Sequence, residues 1–571
     1  MISLVTIIVT PIIFIGLILT VSSNYKKKVR LVETSNIKHI SLLEENKMSV
    51  SNVKGQYYNG VINNYTSNIM PLNGWESFWE GITKIKRGKE FKVLNEYVVQ
   101  ILKKIGLTMS LILFFLIILI WMKYRPTTIN YQLMIDPQSR HQTFNLNITL
   151  GLDGISLPFV LLVGFIMPIV YLSNWSTIDS LDAYYIIIII LLELFLITVF
   201  LVIDLIMFYI FFESILPPLF VLIGLYGASQ KFRAGYYLFL YTLFGSLFML
   251  VSFVKLGGDT GSTYFDGYGN NNIYQLLQEI IWIVLFVSFS VKTPLVPVHI
   301  WLPLAHSDAN VSGSIVLASI VLKLALYGFL RILIGIFSIA TLSLIPFFFG
   351  ICALSVVYSS LTTIRQFDLK VLVAYSSIAH MASSLLGTFS DTLYGLVGSV
   401  IFGLAHGFVS PGLFILVGAI LYDRCGSRVI NYYRGLTNIL PFFAFLFLLF
   451  VFGNMGVPLT GNFIGEFLSL LGAYQQNIFI ASIAATSVIL SAVYSIFMFN
   501  RVTGGSISPY IHTIPDVFRK EFYILLPLLI LTLTLGVYPS FITNEIDFAL
   551  SNLLMTFPLV VYCTQENLKN I

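Results

Sequence analysis

Runs of about twenty apolar residues recur along almost the whole of this chain, and no other feature narrows its fold so much. A run of that length crosses about 30 Å of hydrocarbon as a helix that rises 1.5 Å per residue. The spacing predicts about fourteen such helices, near residues 3–22, 106–123, 154–172, 184–202, 205–226, 236–255, 276–303, 312–333, 341–362, 370–388, 393–421, 437–470, 478–500 and 521–541. The stretch 184–226 is too long for one crossing, so it divides near Asp204, a residue type that caps helix starts. Composition agrees with this. Of 571 residues, 57% are hydrophobic and 10% charged, where soluble domains carry about 25% charged residues. The expected fold class is an all-α polytopic membrane protein.

Other classes lack their signatures. Cys352, Cys425 and Cys563 lie far apart with no CxxC spacing, which argues against zinc, iron–sulfur and disulfide frameworks. No GxGxxG follows a strand pattern and no P-loop occurs, so no cofactor-binding and no metal-ligating residues are expected in this chain. Met1–Ser22 is apolar, without the basic stretch and cleavage site of a signal peptide or the Arg-rich pattern of an import presequence. It reads as a retained transmembrane helix. Abundant Phe, Tyr, Ile, Asn and Lys is compatible with an AT-rich organelle genome.

Four divisions follow: a first transmembrane helix (1–23), a polar basic insertion (24–105), a long membrane domain (106–541) and a C-terminal tail (542–571). The insertion holds Lys26–Arg30 (KKKVR), Lys84, Lys86, Arg87, Lys89, Lys92 and Lys103–Lys104. It reads either as a solvent-side insertion or as a docking surface for a neighbouring subunit. Positive loops mark the inside of a membrane. Loops with Lys26–Lys28, Lys231 and Arg233, Arg365, Arg424, Arg428 and Arg434, and Arg501, Arg519 and Lys520 fall on one side. Both termini are therefore expected outside and the insertion inside.

Within the apolar runs stand isolated charges. A charge at bilayer depth costs roughly 2.5–3.5 kcal/mol on insertion scales, so such residues usually face a polar interior and carry a task. Lys323 is the one charge in Gly313–Gly328; Glu213, Lys292 and Glu466 stand in other runs. Pro294, Pro297 and Pro303 follow Lys292, and GNMGVPLTGN (Gly453–Asn462) precedes Glu466. Both spans read as discontinuous helices, and paired interruptions point to a transport site; the alternative is a chance proline kink. Glu213 and Lys292 are candidates to pair across helices, and a desolvated lysine makes a proton carrier. His299, His306, His380 and His406 lie in or beside spans, as relay groups or as hydrogen-bonded structural histidines. Glu193 lies deep in its span, Asp204 reads as a cap or a proton-path residue, and Asp368 with Lys370 reads as a surface pair.

Six stretches carry a family resemblance: GLDGISLPFVLL (151–162), DLIMFYIFFESILPP (204–218), VKTPLVPVHIWLPLAHSDANVSGSIVLASIVLKLALYGFLRI (291–332), RQFDLKVLVAYSSIAHMA (365–382), LAHGFVSPGLF (404–414) and GVPLTGNFIGEFLSL (456–470). Through them the chain resembles the Mrp antiporter-like membrane subunits of mitochondrial respiratory complex I, NADH–ubiquinone oxidoreductase. The resemblance implies two inverted five-helix repeats with discontinuous helices seven and twelve. It implies Glu213 as the acid paired with Lys292, Lys323 as the central channel lysine, and Glu466 as the twelfth-helix acid. The glutamate at 466, where several sister subunits carry lysine, favours the chain 4 branch over chains 2 and 5. His299, His306, His380 and His406 match the family's polar axis. The implied function is proton translocation driven by electron transfer elsewhere, with NADH, FMN, iron–sulfur clusters and ubiquinone in partner subunits. The implied partners are other membrane-arm subunits, including sister antiporter-like subunits, and the lipid bilayer, with no nucleic acid. The implied location is the mitochondrial inner membrane. The alternatives are a free-standing Mrp-type antiporter subunit and a non-pumping scaffold. HSDANVSGS departs from the family's H-x-E-A-P-x-x-G-S, with Asp308 for glutamate and Asn310 for proline, so a different bend is expected there.

Overall fold

The computed structural model describes residues 4–20, 92–128, 130–135, 149–175, 182–261, 263–265, 275–511 and 514–569. Apolar periodless runs give helices, in the order α1 (Leu4–Thr20), α2 (Lys92–Trp121), α3 (Ser156–Ser173), α4 (Asp182–Leu201), α5 (Leu205–Tyr226), α6 (Lys231–Thr260), α7 (Gln275–Lys292), α8 (Trp301–Asp308) and α9 (Val311–Ile334). There follow α10 (Ser338–Ile364), α11 (Leu369–Thr388), α12 (Leu393–Cys425), α13 (Pro441–Met455), α14 (Gly461–Gln476), α15 (Ile478–Thr503), α16 (Arg519–Val537) and α17 (Ser540–Lys569). Among the described residues, 12 helices are long and apolar enough to cross a membrane, and α1 and α13 are shorter apolar helices. The one sheet among them is an antiparallel pair, β1 (Gln132–Ile135) with β2 (Leu150–Leu152).

Two element limits differ from expectation. Helix α2 begins at Lys92, so the last residues assigned to the insertion are helical; the rest of the insertion lies outside the described residues. The expected tail contains α17, a helix from Ser540.

The predicted division near Asp204 is real and has a local cause. The Asp204 carboxylate accepts from the backbone N–H groups of Ile206 and Met207 at 2.9 and 3.0 Å, which satisfies donors the helix start leaves open. Asn310 does the same for α9. Its side chain accepts from Gly313 N at 2.9 Å, so asparagine in place of the family's proline supplies a cap.

Both expected helix breaks are present. After Lys292 the chain turns through 293–300 before α8 resumes. The freed backbone groups find partners: Trp301 Nε1 donates to Val291 O at 2.7 Å, and Val296 N donates to Ser355 Oγ at 3.1 Å. The second break separates α13 from α14, with Gly456 at φ +71 ending α13. Helix α9 is continuous but carries two wide π turns, Leu317–Val321 and Phe329–Ile334, on either side of Lys323. Helix α14 packs closely on α12. A Cβ at Gly465 would lie 2.5 Å from Phe402 Cα, so only glycine permits that approach.

The loops after α5, α8, α10, α12 and α15 bond to one another. Ala228 N donates to Asp308 O at 2.7 Å, Leu369 N to Arg428 O at 3.0 Å, and Gly435 N to Gly504 O at 2.9 Å. Arg424 pairs with Glu521 at 2.5 Å. Charge-rich loops thus gather at one end of the bundle. The expected surface pair of Asp368 with Lys370 is not found. Lys370 is buried, with Nζ donating to Ala309 O at 3.3 Å and lying over the Tyr422 ring. Asp368 instead caps α11 and pairs with Arg428 at 3.4 Å.

Candidate functional site

Lys323 is fully buried at the centre of α9, 0% exposed. The π turn before it loosens the helical ladder, and its Nζ donates to Ala318 O at 2.7 Å. Its second contact is His406 Nδ1 on α12, at 2.8 Å. A lysine ammonium has donors and no acceptor, so His406 meets it as a neutral ring with its proton on Nε2. No acid forms an ion pair with Lys323 among the described residues.

From His406 the polar groups continue across four more helices. The ring of His380 on α11 lies 5.7 Å from that of His406, centroid to centroid. Asn454, at the end of α13, sits against His380. Tyr494 on α15 meets His380 Nε2 through its hydroxyl at 3.4 Å. Tyr494 also lines a small cleft with Glu466, Ser383, Ser487 and Ser491. Glu466 on α14 is 5% exposed, and its Oε1 accepts from Ser487 at 3.5 Å. Its Oε2 reaches the helix break, where a Cβ at Gly456 would lie 3.1 Å from it. The absent side chain at Gly456 therefore makes room for the carboxylate. Three of the serines (Ser383, Ser487, Ser491) and Tyr494 give this cleft hydroxyl groups that both donate and accept, as a proton path requires.

The second cluster is smaller. Lys292, 1% exposed at the end of α7, donates from Nζ to Phe212 O at 2.9 Å and lies 3.4 Å from the centroid of the Phe212 ring. Glu213, the next residue, is partly buried beside Ser246 and interacts electrostatically with Lys292. No ion pair within 4 Å joins them among the described residues, so the two charges are neighbours held one residue out of register. A carbonyl and a ring face together hold a cation without neutralising it.

The remaining predicted residues divide. His306 is fully buried, stacks on Phe414 with centroids 4.7 Å apart, and lies in the field of Lys370 and Lys323. Among the described residues neither of its ring nitrogens has a hydrogen-bond partner. His299 lies by the Tyr358 and Tyr375 rings, 5.6 and 6.1 Å away, apart from the His406–His380 line. Glu193 is buried in α4, and among the described residues neither carboxylate oxygen has a hydrogen-bond partner.

Sequence reasoning passed over Tyr494, Asn454 and Asn462, and it passed over a buried ion pair. Arg331, in the second π turn of α9, bonds Asp153 in the turn before α3. The signal was present: Arg331 stands in FLRILI, an apolar run as clear as the one around Lys323.

The family model for the transmembrane region of NADH:quinone oxidoreductase and Mrp antiporters matches residues 203–491. The chain is 45% identical over 454 residues to NADH-ubiquinone oxidoreductase chain 4 of Mycosarcoma maydis, an overlap of 79% of this chain and 93% of that protein. It is 42% identical over 458 residues to NADH-ubiquinone oxidoreductase chain 4 of Arabidopsis thaliana, covering 80% of this chain and 92% of the relative. A chain of respiratory complex I from Thermus thermophilus, solved with bound NADH, superposes with a TM-score of 0.74 at 26% identity, over 80% of this chain and 95% of that one.

Proposed function

Because the chain belongs to the NADH:quinone oxidoreductase/Mrp antiporter family, among the chain 4 subunits of complex I, we propose that its buried Lys–His–Tyr–Glu line is the path by which it moves protons. The chain is a proton-translocating membrane subunit of NADH:ubiquinone oxidoreductase, assembled with other membrane-arm subunits. Electron transfer belongs to partner subunits, which hold NADH, FMN, iron–sulfur clusters and ubiquinone. The membrane is the mitochondrial inner membrane, with both termini on the intermembrane-space side and the basic loops on the matrix side.

One observation carries the assignment: a fully buried lysine bonded to an imidazole and, among the described residues, to no acid. A lysine salt-bridged to a carboxylate is held charged. Lys323 is instead free to hand a proton to His406 Nδ1, while His406 releases its Nε2 proton onward. His380 and Tyr494 continue the transfer and Glu466 receives it. Glu213 and Lys292 form the control element. When their charges approach, Lys292 is held as a cation, and when they separate, desolvation favours its neutral form. Its charge acts on Lys323 through the low-dielectric interior. Moving one charge against 100 mV requires about 2.3 kcal/mol, which a change of one to two pKa units at such a site supplies.

The test is to replace Lys323 or Glu213 with Ala and measure proton uptake by the reconstituted complex during quinone reduction. Either substitution should abolish or sharply reduce pumping in complex that still assembles. Unchanged pumping in both would remove the assignment.

A further inference from the structure

A half-open cavity of about 510 Å³ lies between α2, α3, α12, α16 and the start of α17. Protein interiors are close-packed, with few voids larger than a water, whereas ligand sites enclose about 300–1,000 Å³. Its walls are mostly apolar side chains from four helices of membrane-crossing length, among them Phe114, Leu161, Phe408 and Leu531. The polar lining comes from helix ends. Trp121 closes α2, Tyr538 follows α16, and Glu545 stands in α17; Thr534 is turned back on Leu531 O at 3.2 Å. Trp121 also meets the Phe541 ring edge-on at 4.8 Å. Tryptophan and tyrosine gather where hydrocarbon meets water. The cavity therefore reaches from hydrocarbon depth to the headgroup level.

Glu545 is the one acid of the lining. Its carboxylate bonds Trp121, but its Oε2 is buried and has no hydrogen-bond partner among the described residues. Its backbone is seated on the turn before α3, where a Cβ at Gly154 would lie 2.7 Å from Glu545 O. A buried carboxylate oxygen accepts and so calls for a donor. Lys123 and Arg125, just past Trp121, are exposed cations that complement a phosphate.

We propose that this cavity binds one acyl chain of a phospholipid whose head carries a primary amine, as in phosphatidylethanolamine, with the ammonium donating to Glu545 Oε2. A choline head has the charge but no N–H to donate. A quinone ring presents carbonyl acceptors to a group that needs a donor. No residue of the Lys323–His406–His380–Tyr494–Glu466 line is part of the lining, and the inference does not depend on that line.

The experiment uses whole complex reconstituted with phosphatidylethanolamine or phosphatidylcholine, each carrying the same photoreactive group at the end of one acyl chain. The readout is the ratio of amine-lipid to choline-lipid labelling on α3 and α16 peptides, compared with the same ratio over the chain's other peptides. Wild type should favour the amine lipid several-fold on α3 and α16. Glu545→Leu should erase that preference, and Leu531→Trp, which fills the cavity, should lower labelling by both lipids several-fold. Equal ratios in wild type overturn the inference, as does a preference that survives Glu545→Leu or labelling that is unchanged in Leu531→Trp. Stronger labelling of α3 and α16 by a photoreactive ubiquinone than by the amine lipid at equal concentration overturns it too. If Leu531→Trp does not assemble, Glu545→Leu against wild type decides alone; if Glu545→Leu does not assemble, Glu545→Gln takes its place, and an undiminished preference there overturns the inference.

Discussion

Helix α9 buries two cations a little over two turns apart and treats them in opposite ways. Arg331 is locked. It bonds the Asp153 carboxylate and lies over the rings of Tyr131 and Tyr327, at 5.4 and 5.7 Å. Among the described residues Lys323 pairs with no acid and bonds a carbonyl and an imidazole. An arginine keeps its proton at any physiological pH, so its burial is tolerable only with a fixed counter-charge. A lysine gives up its proton more readily than an arginine, so Lys323 is the cation that the proposed path uses. Burial alone therefore says little about function. The partner decides whether a buried cation ties helices together or carries a proton.

The largest effect that would sharpen this contrast is Arg331→Leu. It strands the Asp153 charge, and breaking a buried pair in this way costs about 3–5 kcal/mol. Assembled complex should fall steeply on native gels, and Arg331→Leu with Asp153→Leu should recover much of it. Full assembly of the single variant would show that the pair is not a lock. Next comes Lys323→Arg, which keeps the charge but fixes the proton. Assembly should persist while proton pumping in proteoliposomes is lost; a variant that pumps would end the distinction between the two cations.

A smaller effect tests the far end of the line. Gly456→Ala forces a side chain into φ +71, at about 1–2 kcal/mol, and brings a Cβ to 3.1 Å from Glu466 Oε2. Pumping should drop more than quinone reduction does, a split that a purely structural fault would not give. Smallest is Asp204→Ala. Loss of a helix cap costs about 1 kcal/mol, so thermal stability of the complex should fall slightly while protons per electron pair stay unchanged. Asp204, bonded to Thr263 and to the backbone of α5, thus belongs with the locked groups.

Much of the site was legible because hydrocarbon makes charge conspicuous. Lys323, Lys292, Glu213 and Glu466 each interrupt an apolar run, and the breaks beside Lys292 and Glu466 announce themselves through proline and glycine. Tyr494 did not stand out, because it is one of 31 tyrosines and its phenol is at home in a membrane helix. Asn462 read only as part of a helix break. Lys370 read as a surface residue because it stands at a span's edge, whereas the carbonyl and the ring that cover it come from residues 61 and 52 positions away in sequence, Ala309 and Tyr422. Arg331 was readable and was passed over.

By itself the sequence determined that the chain is a set of apolar helices of membrane-crossing length, where two of them break, and which charges stand inside them. Helix length and the cost of burying charge are local matters, settled within each run of residues. Tertiary structure alone decided which of those charges meet. It set Lys323 on His406 and not on an acid, gave Arg331 its aspartate, and placed Tyr494 between His380 and Glu466. Such contacts depend on how helices cross, on π turns that swing a side chain round, and on glycines that let backbones close. Those distances arise only when separate stretches of chain pack together.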